Sequence, residues 1–209
     1  MNYRSEPKKP YVVLTIKPSR GAAGYLRKRI DTAIESGFNI FKVRLEAEEN
    51  GLYPNRVLPI VATLSSYSTD HGCTFLPSKS TGKGTYAEAL GLLKPYKDPN
   101  GVDSASFLDK VWRFDRNTHF DVVSGIIDSL RKTTVLAPGL LHGIEYGLNE
   151  ISDNVLVHST KMQSEHVEGY VMAQVHRQSN KVAIAVHDDG IGIPNSLRSG
   201  GVAFADTKE

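Results

Sequence analysis

The chain has a single cysteine, Cys73, among 209 residues. One thiol cannot close an internal disulfide, so no covalent framework holds the fold, and a reducing cytoplasm is the expected setting. Cys73 stands in the run CTFL, which reads as a strand. Nothing local would lower its pKa, so it reads as a buried structural thiol rather than a nucleophile. An excess of charge of one sign is also lacking: 25 Lys and Arg face 23 Asp and Glu, for a net charge of +2. The basic residues are scattered, with small clusters at Lys8-Lys9 and Arg27-Lys28-Arg29. They read as solvated faces rather than the longer stripe of a nucleic-acid binder. No apolar run approaches the roughly 20 residues of a membrane span, and residues 1–10 lack the apolar stretch of a secretory signal. What is present is ordinary for a globular protein, with 40% hydrophobic and 23% charged residues, and favours a packed core over disorder. The length allows one large domain or two small ones.

The periodicity predicts an α/β chain in two parts, residues 1–100 and 101–209. In the first, residues 11–16 and 38–45 read as strands, residues 24–36 and 57–67 as helices, and residues 71–76 as a third strand. Strand, helix, strand, helix, strand implies a small layer of parallel strands joined by helices. Residues 77–106 are rich in Gly, Pro, Ser and Lys and read as a loop around one short helix, 86–93, with the boundary near 98–103. The second part begins with a short strand, 111–114, and a helix, 120–131, with Val123, Ile126, Ile127 and Leu130 inward. Residues 140–158 form the longest helix. Residues 168–176 and 181–186 read as two strands joined in a hairpin at 178–180.

One motif misleads. Residues 80–85, STGKGT, resemble a phosphate-binding P-loop, but Pro77 stands where the first glycine is needed, and Gly84 where a magnesium-binding hydroxyl is needed. A surface loop is the better reading.

A different constellation carries chemistry. In the helix over residues 140–158, Leu140, Ile144, Leu148, Ile151 and Val155 follow at three or four residues and are expected to pack on a sheet. Glu150, Asn154 and His158 follow at four-residue steps, as a polar stripe about a quarter-turn from the apolar one. Groups so placed can sit in a cleft and meet a ligand. Residues 186–194, VHDDGIGIP, run from a strand into a turn with two glycines. Glycine lets backbone approach a ligand closely. Asp188, at the strand's end, could accept a hydrogen bond from an exocyclic amine. Asp189 reads as a solvent-facing turn residue and His187 as a strand residue pointing away.

Residues 149–158, NEISDNVLVH, resemble the N-box of the GHKL superfamily (gyrase, heat-shock chaperones, histidine kinases, mismatch-repair proteins). Residues 188–193, DDGIGI, are similar to its DxGxG box, and the order of helix box, hairpin and glycine box also matches. The resemblance covers residues 140–194 and extends back to about 107. It implies a Bergerat fold, with helices on one face of a mostly antiparallel sheet, that binds ATP with Mg²⁺. Asn154 would then coordinate Mg²⁺, Asp188 would accept the adenine amino group, and Gly190 and Gly192 would let the loop pass close to the nucleotide. Glu150 would be the general base, a role that suits a carboxylate of the right pKa and reach. Histidine kinases carry Asn where Glu150 stands, and no phosphoacceptor-histidine helix pair precedes it, although His119 and His142 exist. His158 has two readings, a site residue as in anti-sigma kinases or a helix-end residue favoured by the helix dipole. The family's second glycine box and lid are not found before Glu209, so a chain incomplete before its lid is expected.

Residues 11–76 resemble, in element order and length, a STAS domain, the anti-sigma-antagonist fold. An unrelated small α/β domain is the alternative. The segment that would hold a regulatory serine, residues 46–64, contains none. Three functions follow: an ATPase switch with partner exchange or homodimer formation, an anti-sigma-type serine kinase acting on a protein partner, or an interaction module with a vestigial nucleotide site.

Overall fold

The computed structural model describes residues 10–46, 52–78, 90–100, 102, 107–137, 139–158 and 168–188. The chain is α/β and divides into two compact units, Met1–Lys94 and Pro95–Glu209.

In the first unit, strands β1 (Val12–Ile16), β2 (Ile40–Leu45) and β3 (Thr74–Pro77) alternate with helices α1 (Ala22–Glu35) and α2 (Pro54–His71). The strands form one parallel sheet in the order β1-β2-β3. α1 and α2 pack on each other and on the sheet, so both cover the same face. Alternation sets which side chains meet them: Leu14, Ile16, Phe41, Val43 and Leu45 are buried. The other face carries Val13, Thr15, Arg44, Thr74 and Leu76, all exposed.

α2 starts three residues earlier than its apolar spacing suggests, because Pro54 can open a helix whose first N–H has no partner anyway. It ends at His71 because Gly72 takes the left-handed conformation, φ 62°. His71, expected in the third strand, is therefore the last residue of α2. Tyr67 on α2 donates its hydroxyl to the Asp31 carboxylate on α1. Burial, and then this bond, push the Tyr67 phenol up to about 12. Cys73 is buried, as expected, and burial pushes its thiol up, which keeps it inert. Of the short helix expected at 86–93, residues 90–93 form a turn and bend instead, and the remainder lies outside the described residues.

In the second unit, β4 (Val111–Phe114) precedes helices α3 (His119–Thr133) and α4 (Leu140–His158), then β5 (Gly169–His176) and β6 (Lys181–Asp188). The strands form an antiparallel sheet in the order β4-β5-β6. The expected hairpin connection is a 3₁₀ turn, Arg177–Ser179, closed by Asn180 at φ 49°. α3 and α4 pack on each other and on this sheet. Trp112 and Phe114 from β4, Val171 and Ala173 from β5, and Ile126 and Leu130 from α3 share one core.

Phe107 ties the layers together. Its ring stacks on Trp112 with centroids 4.3 Å apart, and its carbonyl accepts from the Trp112 indole N–H at 3.0 Å. On the other side it lies over Gly125 of α3, where a Cβ would come within 2.3 Å of the ring. Its N–H donates to Ser129 Oγ at 3.3 Å.

Asp115 shapes the entry to α3. Its carboxylate accepts from Asn117 N at 2.8 Å, Thr118 N at 3.0 Å and Thr118 Oγ1 at 3.0 Å. Partial burial pushes its pKa up, but these bonds and the Arg113 charge outweigh it, and the carboxyl lies below its ordinary value.

Among the described residues, no helix is long and apolar enough to cross a membrane.

Two outcomes follow. Gly125→Val overfills the slot under Phe107 and should lower unfolding free energy by about 1–3 kcal/mol in urea titration; an unchanged midpoint would show that the ring moves aside freely. A depressed carboxyl stabilises the fold above its unfolded pKa and loses that contribution as pH falls through its folded pKa. Asp115→Asn should therefore narrow its stability deficit relative to the parent as pH drops below the ordinary carboxylate range. A deficit constant with pH would show that charge at Asp115 contributes nothing.

Candidate functional site

The polar stripe and the aspartate both belong to the second unit. α4 lies against β5 and β6. Ile144, Leu148 and Val155 pack with Ile184 and Val186 of β6, the strand that ends at Asp188. Asp188 is exposed and pairs in register with Gly169, the first residue of β5. The chain from α4 thus enters the sheet beside Asp188.

Gly169 has to be glycine, since a Cβ there would come 2.3 Å from the Phe114 ring. This close packing, with the ion pair from Arg113 on β4 to Glu168 at 2.8 Å, anchors the sheet end that carries Asp188.

α4 is rolled relative to the expected stripe. Leu148 and Val155 are buried as expected, and Ile144 packs against the core. Leu140 and Ile151, expected inward, are 49% and 50% exposed. Leu141, Ser152 and Leu156 take their places. Ser152 is fully buried and donates its hydroxyl to Leu148 O at 2.7 Å, so this small residue meets its own polar demand at the contact. The buried face of α4 is therefore centred near Leu148 and Ser152, which leaves Glu150 about half a turn from its centre, and the polar stripe farther from that face than the expected quarter-turn. Glu150 and Asn154 are both exposed. Asn149, the first residue of the box, donates to Glu145 O at 3.0 Å.

Of the other residues singled out, Gly190, Gly192 and Asp189 lie outside the described residues, as do the His158 side chain and the loop 80–85. His187 pairs with Tyr170 within the sheet. His142 is exposed on α4.

One pair escaped the sequence reading. His119, at the start of α3, is 5% exposed, and its Nε2 lies 3.2 Å from an Asp153 carboxylate oxygen on α4. The two groups are close but misaligned for a hydrogen bond, and neither ring nitrogen has a hydrogen-bond partner among the described residues. Asp153 is next to Asn154, so this contact lies beside one of the candidate site residues. Spacing carried no signal for it, because Asp153 meets His119 only through the way α4 is rolled against α3. Among the described residues there is no group of three or more His, Cys, Asp or Glu that could hold a metal ion by itself. A divalent cation here would take one or two protein ligands and complete its shell from a ligand's phosphates and water, the habit of Mg²⁺.

Comparison with family models, curated proteins and solved structures finds no match to this chain.

Because Asp153 is 55% exposed, it keeps its hydration when the imidazole is removed. His119→Leu replaces an unsatisfied buried ring with an apolar group, and should change urea stability by less than about 1 kcal/mol. A larger loss would show that a charged His119–Asp153 pair holds α3 to α4.

Proposed function

We propose that the second unit binds ATP with Mg²⁺ in the GHKL manner, between α4 and the residues that follow β6. The observation that carries this reading is the packing of α4 on β6. It makes neighbours of the two elements that bear the matched boxes, while Glu150, Asn154 and Asp188 remain accessible. The antiparallel sheet covered by two mutually packed helices supports a Bergerat-type arrangement. In it, Asp188 accepts the adenine amino group, and Asn154 supplies a neutral oxygen to the cation on the phosphates. Gly190 and Gly192 let the following backbone close on the nucleotide. Mg²⁺ supplies neutralisation of phosphate charge; the protein's part is to hold and orient. Glu150 orients the attacking water by accepting its proton at a carboxylate oxygen.

The site would serve an ATPase switch that changes partners or dimerises. Transfer to a partner's serine uses the same carboxylate on a hydroxyl instead of water. The half-turn between Glu150 and the centre of the buried face favours the third reading, an interaction module with a vestigial nucleotide site. The STAS resemblance of the first unit is supported only by its element order.

Calorimetric titration of Mg-ATP into the chain should give saturable binding that Asp188→Asn abolishes while the far-ultraviolet dichroism is unchanged. Equal affinity in the variant would refute the site. Glu150→Ala should keep binding and lose phosphate release; full turnover in that variant would place the base elsewhere.

A further inference from the structure

The first unit leaves one strand edge open. Among the described residues, β1 pairs with β2 alone, so its other side has no strand partner. Ile16 O accepts from Glu46 N at 2.9 Å, which turns the polar backbone of Ile16 toward β2. Main-chain direction alternates along a strand, so Val13 and Thr15 present their N–H and C=O groups outward. The opposite edge, β3, is shorter and carries Pro77, two devices that blunt strand addition. β1 has neither within its five residues.

Two grooves run along this open edge beneath α1. One, of about 440 Å³, is bordered by Val12, Lys28, Arg29 and Phe38. The other, of about 480 Å³, is bordered by Thr15, Lys17 and Ala22. Tyr25 borders both and is 59% exposed. An added strand would send alternate side chains into these grooves, one on either side of Tyr25, while its backbone pairs with Val13 and Thr15.

Charge identifies the occupant. Lys17, Lys28 and Arg29 border the grooves, and among the described residues no acidic side chain does. Lys17 has a loose ion pair with Glu46 at 3.6 Å, and Glu35 is exposed on α1 without bordering either groove. Residues 10–46 contain seven Lys and Arg against three Asp and Glu. A second copy of the chain would bring the same cations to the same edge. Residues 1–9, with three basic groups and one acidic, are also mismatched. We propose that the free edge of β1 takes up an extended, acidic segment of a partner protein as a fourth strand, with its apolar side chains in the grooves under α1 and its carboxylates on Lys28 and Arg29. This is strand addition, in which main-chain bonds give affinity and the grooves give selectivity. It is independent of the nucleotide reading.

The test uses the full chain and two end-blocked, fluorescein-labelled octapeptides, one alternating valine with glutamate and one alternating valine with lysine. Anisotropy titration should show saturable binding of the glutamate peptide and binding of the lysine peptide weaker by about tenfold or more. Lys28→Glu with Arg29→Glu, both at exposed positions, should weaken the glutamate peptide by about tenfold and reverse the preference. Amide exchange at Val13 and Thr15 should slow when the glutamate peptide is bound. Val13→Pro, which removes one outward N–H where an edge tolerates proline, should abolish that binding with the helical dichroism retained. No binding, equal binding of the two peptides, or unchanged exchange at Val13 and Thr15 would overturn the proposal. Protection of those amides by concentration-dependent dimerisation without peptide would overturn it as well, and assign the edge to a second copy.

Discussion

The second unit depends on the seating of one ring. Phe107 lies between Trp112 of β4 and Gly125 of α3, bonded to one by its carbonyl and to the other's helix by its N–H. Burying a phenylalanine contributes about 1.5–3 kcal/mol, and the two hydrogen bonds add about 1 kcal/mol each. The larger consequence is geometric. With α3 fixed at this height over β4, Val122, Ile126 and Leu130 face the sheet, and α4 is left the space between α3 and β6. α4 then has to present a small residue where it meets the core, and Ser152, bonded to its own helix, fills that role.

That demand explains what the sequence showed and what it concealed. Most strands and helices were legible because their apolar spacing has one solution; residues 90–93, expected in a helix, form a turn and bend instead. In α3, Val123, Ile126, Ile127 and Leu130 can only face one way. α4 is different, because Leu140, Leu141, Ile144, Leu148, Ile151, Val155 and Leu156 spread over nearly half of the helix circumference. Two stripes, a fraction of a turn apart, bury about the same apolar surface. Exposing Leu140 and Ile151 is offset by enclosing Leu141 and Leu156. Tertiary contact with α3 decides between them, and periodicity contains no information about it. The end of α2 shows the same limit on a smaller scale: a left-handed Gly72 sets it one turn beyond the last obvious apolar residue.

The candidate site is a reading of chemistry more than of geometry. Glu150, Asn154 and Asp188 are proposed from residue type and spacing. The structure adds the packing of α4 on the strand that ends at Asp188. It also adds the roll that turns Glu150 outward, and the His119–Asp153 contact beside Asn154. In the proposed site, binding would draw mainly on Asn154, Asp188 and the glycines that follow, and turnover would ask more, because Glu150 lies about half a helical turn from the centre of the packed face. Among the described residues, the first unit is a parallel sheet with helices on one face and an edge at β1 that has no strand partner and is bordered by basic side chains, the place where strand addition is proposed.

The most direct measurement is an amide chemical-shift map of the chain on addition of Mg-ATP. The account predicts perturbations concentrated at Asn154, at Asp188 and in the residues just after it, with the β1 edge unaffected. An unperturbed Asp188, or shifts centred elsewhere in the chain, would contradict it.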